Sequence, residues 1–271
     1  MMRQISRAIT VSAALVLLAS TAGAQGAKPI TKCPVDAVVS GTVCMDKYEA
    51  SVWRVPDPTG ANKSLVKKIQ AGKVKITDLT KGGATQLGTA GDNYAPCADS
   101  GQNCADDIYA VSLSGVTPSA YINWFQAQAA CENARKRLPS NAEWQAAVAG
   151  TPDPGPDNGT TDCNTASAFA AVATGSRSSC KSARGAFDMV GNLIEWVADW
   201  VPRSTACGTW SAGVSPTGDH QCLAGADTTG EPGALLRGGH FTDGTNAGPL
   251  TVDGSVGPSV ANYLLGFRCA R

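Results

Sequence analysis

Histidine is nearly missing from this chain: His220 and His240 are the only two in 271 residues. Two imidazoles cannot build a three-histidine iron or zinc centre, and neither an HExxH nor a CxxC pair supplies the usual zinc frame. A GxSxG elbow and a phosphate-cradling glycine loop are absent too, which removes the common esterase and nucleotide-binding readings. No motif supports a Ser/His/Asp triad. Charged residues are only 16% of the chain. After the first 24 residues no apolar run approaches the roughly 20 residues that span a bilayer.

What is plentiful is sulfur and chain punctuation: ten cysteines, 30 glycines and 15 prolines. The opening MMRQISRAITVSAALVLLASTAGA places Arg3 and Arg7 ahead of an apolar run over 8–19. It closes on the small residues Ala22, Gly23 and Ala24. This reads as a secretory signal peptide over 1–24, cleaved near Ala24, so the mature chain is expected to be exported, periplasmic or extracellular. Without Arg3 and Arg7, 20 Lys and Arg face 22 Asp and Glu, a net charge of −2. That balance gives no nucleic-acid footprint. Lysines gather at Lys63, Lys67, Lys68, Lys73, Lys75 and Lys81 with only Asp78 opposing, which reads as a solvated or mobile excursion.

An even cysteine count in an exported chain points to disulfides. Spacing suggests local pairs: Cys33 with Cys44, Cys97 with Cys104, Cys163 with Cys180, and Cys207 with Cys222. Cys131 and Cys269 are left over, far apart in sequence. Zinc is the rival reading, but it would have only the two histidines to assist it. Residues 25–271 are expected to form one domain.

Thr117-Pro118 offers a cap and a first-turn proline for a helix running to about Lys136, with Tyr121, Trp124, Phe125, Gln128 and Cys131 on its face. Ser140 and Glu143 form a capping box for a second helix whose apolar side is Trp144, Ala147 and Val148. "TVCMDKYEASVW" reads as one strand with Val43, Met45, Tyr48 and Val52 inward. "DMVGNLIEWVADWV" reads as a turn at Gly191-Asn192 followed by a strand, and "ALLRGG" and "LLGFRCAR" as further short strands. Two helices among many short strands predict an α+β, loop-rich fold. Glu49, Asn192 and Glu195 lie in strongly apolar segments, where their oxygens suit calcium, or else satisfy a turn and an arginine such as Arg137 or Arg237.

The runs "CENARKRLPSNAEWQAA", "GAFDMVGNLIEWVADW", "LRGGHF" and "GFRCAR", in that order and preceded by "MDKYEASVW", resemble the formylglycine-generating enzyme (sulfatase-modifying factor) family. The likeness extends from about Cys44 to Arg271, with a lysine-rich insertion at about 55–105. The resemblance implies a C-type-lectin-like fold of low regular structure, a Cys131–Cys269 disulfide, and calcium-related positions at Glu49 and Asn192, with Glu195 in the same motif. Catalytic relatives oxidise a cysteine of a sulfatase peptide with copper held by two cysteines. Those positions fall here on Asp243 and Gly248, and His240 replaces the usual serine. A second family disulfide is missing as well, since its helix position is Val148. Copper(I) prefers soft thiolates, so copper is not expected.

Three functions follow from this pattern. The first is an exported ligand- or partner-binding module without oxidase activity, its surface built from His240, Phe241, Asp243, Asn246, Asn262 and Tyr263. The second is a divergent oxidoreductase acting on a cysteine or another sulfur-containing substrate. The third is a lectin-like variable receptor, suggested by the C-terminal run "AGPLTVDGSVGPSVANYLLGFRCAR".

Overall fold

A computed structural model describes residues 30–271 except 93, 96, 98 and 105–107. The expected signal peptide lies outside the described residues. A hairpin of β1 (Ala37–Ser40) and β2 (Val43–Asp46) opens the fold, tied to the preceding chain by Cys33–Cys44. Next come β3 (Ala50–Arg54), α1 (Lys63–Gln70), α2 (Ile76–Lys81), β4 (Thr85–Leu87) and β5 (Ile108–Ser112). β3 is central in an antiparallel three-stranded sheet, flanked by β4 and β5.

α3 (Trp124–Asn133) and α4 (Asn141–Val148) follow, and then about 45 residues without regular structure. Cys163–Cys180 closes part of that loop, where little apolar side chain is available to hold it. The second sheet contains β6 (Ile194–Val201), β7 (Ala206–Thr209), β8 (His220–Ala224), β9 (Gly233–Arg237), β10 (Val252–Asp253) and β11 (Leu265–Phe267). Its order is β11-β6-β9-β10-β8-β7, with β11 parallel to β6 and β10 parallel to β8. The result is an α+β fold rich in loops. No helix among the described residues is long and apolar enough to cross a membrane.

Local signals succeeded where their partners lie close in sequence. α4 begins at the Ser140–Glu143 capping box and buries Trp144, Ala147 and Val148. The turn before β6 sits at Gly191-Asn192, both left-handed. The first helix, however, starts six residues later than Thr117-Pro118 suggests. Asn123 caps it, accepting from the Gln126 amide while the Gln126 side chain returns to the Asn123 amide. Tyr121, at φ +58°, keeps the preceding chain out of a helical path. Its buried face is Gln126, Ala127, Ala130 and Cys131, so of the expected set only Cys131 is fully buried. "TVCMDKYEASVW" is two strands in two sheets, because residues 47–49 turn and carry Glu49 inward.

The lysine-rich stretch is folded. Leu65 and Ile69 of α1 and Leu79 of α2 are buried in a cluster with Trp53, Tyr109 and Val111 of the three-stranded sheet and with Val55 just beyond β3. The lysines stay outside while the apolar positions are covered.

All five cysteine pairs form: the four local ones and Cys131–Cys269. The last joins α3 to the C-terminal segment across a separation of 138 residues. On the loop-entropy account the long bridge contributes about 5 kcal/mol and the seven-residue Cys97–Cys104 bridge about 2 kcal/mol. Denaturant melts of the Cys131→Ser/Cys269→Ser and Cys97→Ser/Cys104→Ser proteins should therefore show the first pair as much the more damaging.

Candidate functional site

The last strand brings Arg268 into the interior, where its side chain is fully buried. Its Nε donates to both carboxylate oxygens of Glu195 on β6 at 2.9 and 2.8 Å, and its Nη2 donates to Oε1 at 2.5 Å. The remaining donors reach the backbone carbonyls of Asp46, Phe187 and Asp188. Trp144 of α4 completes the Glu195 shell with an indole N–H at 2.7 Å. Glu195 thus has an arginine partner, but it is neither Arg137 nor Arg237. Arg137 pairs with Glu143, and Arg237 lies over the Trp144 ring.

Glu49 and Asn192 form the adjoining layer. The Glu49 carboxylate accepts from Asn192 Nδ2 at 2.5 Å and from the Leu193 amide at 3.0 Å. Asn192 Oδ1 accepts in turn from the Val172 amide and from Asn164 Nδ2. These bonds hold Asn192 left-handed at φ +62° and aim its carbonyl at the Phe241 amide, 3.1 Å away. Gly191 beside it has no room for a side chain, since a Cβ would lie 2.3 Å from the Asn164 carbonyl oxygen. The buried pair is therefore the foundation of the 240–243 loop.

That donor set does not fit calcium. All five side-chain oxygens of Glu49, Asn192 and Glu195 already accept hydrogen bonds from protein donors, and the Val172 amide fixes which end of Asn192 is oxygen. Arg268 would also oppose a cation beside Glu195. Among the described residues one His/Cys/Asp/Glu triple lies close enough for a metal: Cys207, His220 and Cys222. Its two sulfurs are joined in a disulfide, so it offers no thiolate.

Above this support the chain turns tightly. Gly238 and Gly239 take φ +90° and +76° to pass Met189 and Ala247. Asp243 then folds back on its own loop, its Oδ2 accepting from the His240 amide at 2.8 Å. Its Oδ1 lies 3.1 Å from His240 Nε2. His240 Nδ1 faces the Thr242 amide and hydroxyl, so the network selects the Nε2–H tautomer. Burial lowers the His240 pKa, with Asp243 pulling the other way. Beneath the next turn, the Asp219 carboxylate accepts from Ser215 Oγ and from the Leu250 amide. It fills the space beside Gly248, where a Cβ would lie 2.3 Å from it.

Two clefts flank this loop. One, of about 250 Å³, brings His240 and Asp243 together with His220, Asp253 and Asn262. The chain's two histidines thus share one cleft although 20 residues separate them. The other, of about 220 Å³, is walled by Tyr121, Phe169, Phe241 and Tyr263. Tyr263 is 54% exposed and Phe169 76% exposed. Of the six residues expected on a ligand surface, five line these clefts. Asn246 does not, sitting exposed on the short turn Gly244–Asn246. Sequence reasoning missed Tyr121, Phe169 and Asp219, for which no motif gives a signal; Arg268 stood in the quoted GFRCAR run.

The fold and its glycine-turned loop define a disulfide-tied α+β domain with a buried arginine–carboxylate centre. Residues 91–271 match the profile described as "Sulfatase-modifying factor enzyme 1-like domain", and the chain belongs to that family. No curated protein matches it. Among solved structures it is similar to the Major Tropism Determinant P3c variant, with 17% identity, TM-score 0.43, and coverage of 84% of this chain and 50% of that one. CarF is similar at 17% identity and TM-score 0.42, covering 84% of this chain and 85% of CarF. PvdO from Pseudomonas aeruginosa is similar at 17% identity and TM-score 0.37, with coverage of 86% and 82%. The chain spans about half the length of the Major Tropism Determinant P3c variant.

The buried acids outnumber their cation. Burial, against an amide bond from Gly175, pushes Asp188 up to about 7. Burial also pushes Asp46 up to about 6, against the pull of Lys136. Glu49 is raised well above the ordinary range by burial and by the neighbouring Asp188 and Glu195. A carboxyl raised on folding contributes stability fully present below its unfolded pKa and lost as pH rises through its folded pKa. Stability should therefore fall between about pH 4 and pH 7, with His240 offsetting part of the change. Asp188→Asn, which suits the left-handed φ of +55° there, should flatten that slope in urea melts.

Proposed function

We propose that this chain is a family member without copper-dependent oxidase activity, acting outside the cytoplasm as a ligand- or partner-binding module. Its ligand would sit on the two clefts around the 240–243 loop. The observation that carries the reading is the rebuilt copper segment. Asp243, at one expected cysteine position, is spent on holding its own loop. At the other, Gly248, the Asp219 carboxylate takes the volume a cysteine side chain would need. Restoring the pair would require a third change, at Asp219, so the difference is more than two point substitutions.

The clefts supply complementary chemistry. The aromatic one offers ring faces for an apolar or planar group, and its neighbour offers an imidazole, carboxylates and an amide for polar anchoring. Such a surface suits a small molecule or a protein side-chain cluster, and nothing in it favours nucleic acid. The rival reading, an oxidoreductase of altered chemistry on a sulfur-containing substrate, has the His240–Asp243 pair in its favour. Yet both ring nitrogens are already engaged within the loop. A lectin-like variable receptor is a special case of the binding reading. No calcium is assigned to Glu49, Asn192 or Glu195, so chelation should leave the melting temperature unchanged.

The test uses copper-loaded protein and a cysteine-containing sulfatase-type peptide, read by mass spectrometry for aldehyde. The expected product yield is nil, and turnover would overturn the proposal. In parallel, ligand-observed NMR with an aromatic fragment set should give hits on the unmodified chain. Tyr263→Ala, an exposed position, should abolish them without lowering stability by more than about 0.5 kcal/mol.

A further inference from the structure

A cavity larger than either cleft lies elsewhere, between α1 and the C-terminal end of α3, with a volume of about 480 Å³. That is within the range of small-molecule sites. Lys63 and Lys67 stand on one wall and Arg135 on the other. Among the described residues none of the three makes an ion pair, whereas Lys68, Lys136 and Arg137 all do. The single acid of the lining, Glu132, accepts a hydrogen bond from Gln128 at 2.6 Å. Three cations and one carboxylate therefore line one concave space, with an excess of positive charge.

Each of them breaks a local rule. Lys63 is the first residue of α1, whose first turn holds no acid, so its charge opposes the positive end of the helix dipole. Lys67 suits the dipole in the last turn of α1, but it lies at the i+4 spacing from Lys63 where like charges repel. Arg135 follows the cap of α3 at φ +56°, a position where glycine is the usual residue. Its charge suits a helix C-terminus, but its backbone conformation is unfavourable for a long side chain. The first two violations would be relieved by an anion in the groove, and the third is the conformation that accompanies Arg135 on its wall.

The walls are also fixed relative to one another. Gln70 Nε2 at the end of α1 donates to the Asn133 carbonyl at 3.0 Å. Asn133 Nδ2 in turn holds the Cys104 and Ile108 carbonyls. Leu65 and Ile69 anchor α1 from below, and half-buried Val66 gives the groove an apolar patch. Arg135 lies within the stretch that matches the family, while α1 precedes it. The groove thus depends on a segment outside that match.

We infer that this groove binds a small molecule carrying at least two oxyanion charges, of the phosphate- or sulfate-ester class. The guanidinium of Arg135 pairs such groups bidentately, and the two ammonium groups neutralise a second charge along α1. Val66 receives part of the carbon skeleton.

The test is titration calorimetry of the full exported chain with fructose 1,6-bisphosphate, a disulfated disaccharide, and the uncharged parent sugars. At least one doubly charged probe should bind saturably, more weakly as salt is raised, while the parent sugars do not bind. Whichever ester binds better identifies the source of the charge. Lys63→Glu/Lys67→Gln and, separately, Arg135→Asn should each weaken binding about tenfold. Asn is chosen because it tolerates the left-handed backbone. Lys73→Glu/Lys81→Gln, with the same charge change away from the groove, should alter affinity by less than about twofold. Lys63→Glu alone should raise the melting temperature while weakening binding, which separates loss of the site from loss of the fold. The inference is overturned if neither charged probe binds saturably, or if the Lys73/Lys81 control loses as much affinity as the groove variant.

Discussion

The Arg268–Glu195 pair is the constraint on which the other layers rest. It is buried on both sides and joins the penultimate turn of the chain to β6. Through the other guanidinium donors it also holds β2 and the 187–188 turn. A buried pair of this kind adds little over a well-packed apolar substitute, yet losing one partner strands a charge at a cost of about 3–5 kcal/mol. Here the pair does more than stabilise. It dictates where the C-terminal strand must lie, and the neighbouring Cys131–Cys269 bridge makes that position permanent. Two interactions of different kinds, one electrostatic and one covalent, thus locate the same C-terminal segment.

From that centre the geometry passes outward through hydrogen bonds. Glu49 orients Asn192, and the Asn192 carbonyl fixes the start of the 240–243 loop. Glu49 and Asn192, the positions expected as calcium ligands, form in this structure the internal scaffold of a surface feature. Their chemistry explains the ambiguity: a buried carboxylate and amide are needed for either task, and only the direction of the donors decides between them. Burial pushes Asp188 up to about 7, so part of the excess of acids over Arg268 is held as protonated carboxyl near neutrality.

Much of this was legible in the sequence, for reasons of range. The Ser140 capping box and the Gly191-Asn192 turn are decided within a few residues and were read correctly. The four local Cys pairs were readable because short separations leave few alternatives, whereas Cys131–Cys269, 138 residues apart, rested on the family resemblance. Asn123 as a cap was obscured by the more familiar Thr117-Pro118 pattern, and the helix face was misphased as a consequence. The partner of Glu195 was beyond reach, because it lies 73 residues away and several arginines were equally plausible by composition. Asp219 beneath Gly248 was hidden in the same way: its role is to occupy space, and occupation leaves no periodic trace. The lysine-rich stretch misled in the opposite sense, since its charges were conspicuous and the three apolar residues that fold it were not.

Backbone strain recurs at the clefts and the groove proposed to bind ligands. Seven described residues other than glycine have positive φ: Asp57, Tyr94, Tyr121, Arg135, Phe169, Asp188 and Asn192. Asp and Asn tolerate this conformation because their short side chains satisfy nearby backbone groups. Tyr, Phe and Arg do not, and in those positions glycine would relieve the strain. Tyr94 is accounted for by burial and by its hydroxyl bond to the Ala120 carbonyl. The remaining three each project a large side chain beside a cavity: Tyr121 and Phe169 at the aromatic cleft, Arg135 at the cationic groove. A fold with 30 glycines has no shortage of the permissive residue. Placing bulky side chains at these three positions costs backbone strain, and all three positions line the cavities proposed as binding sites.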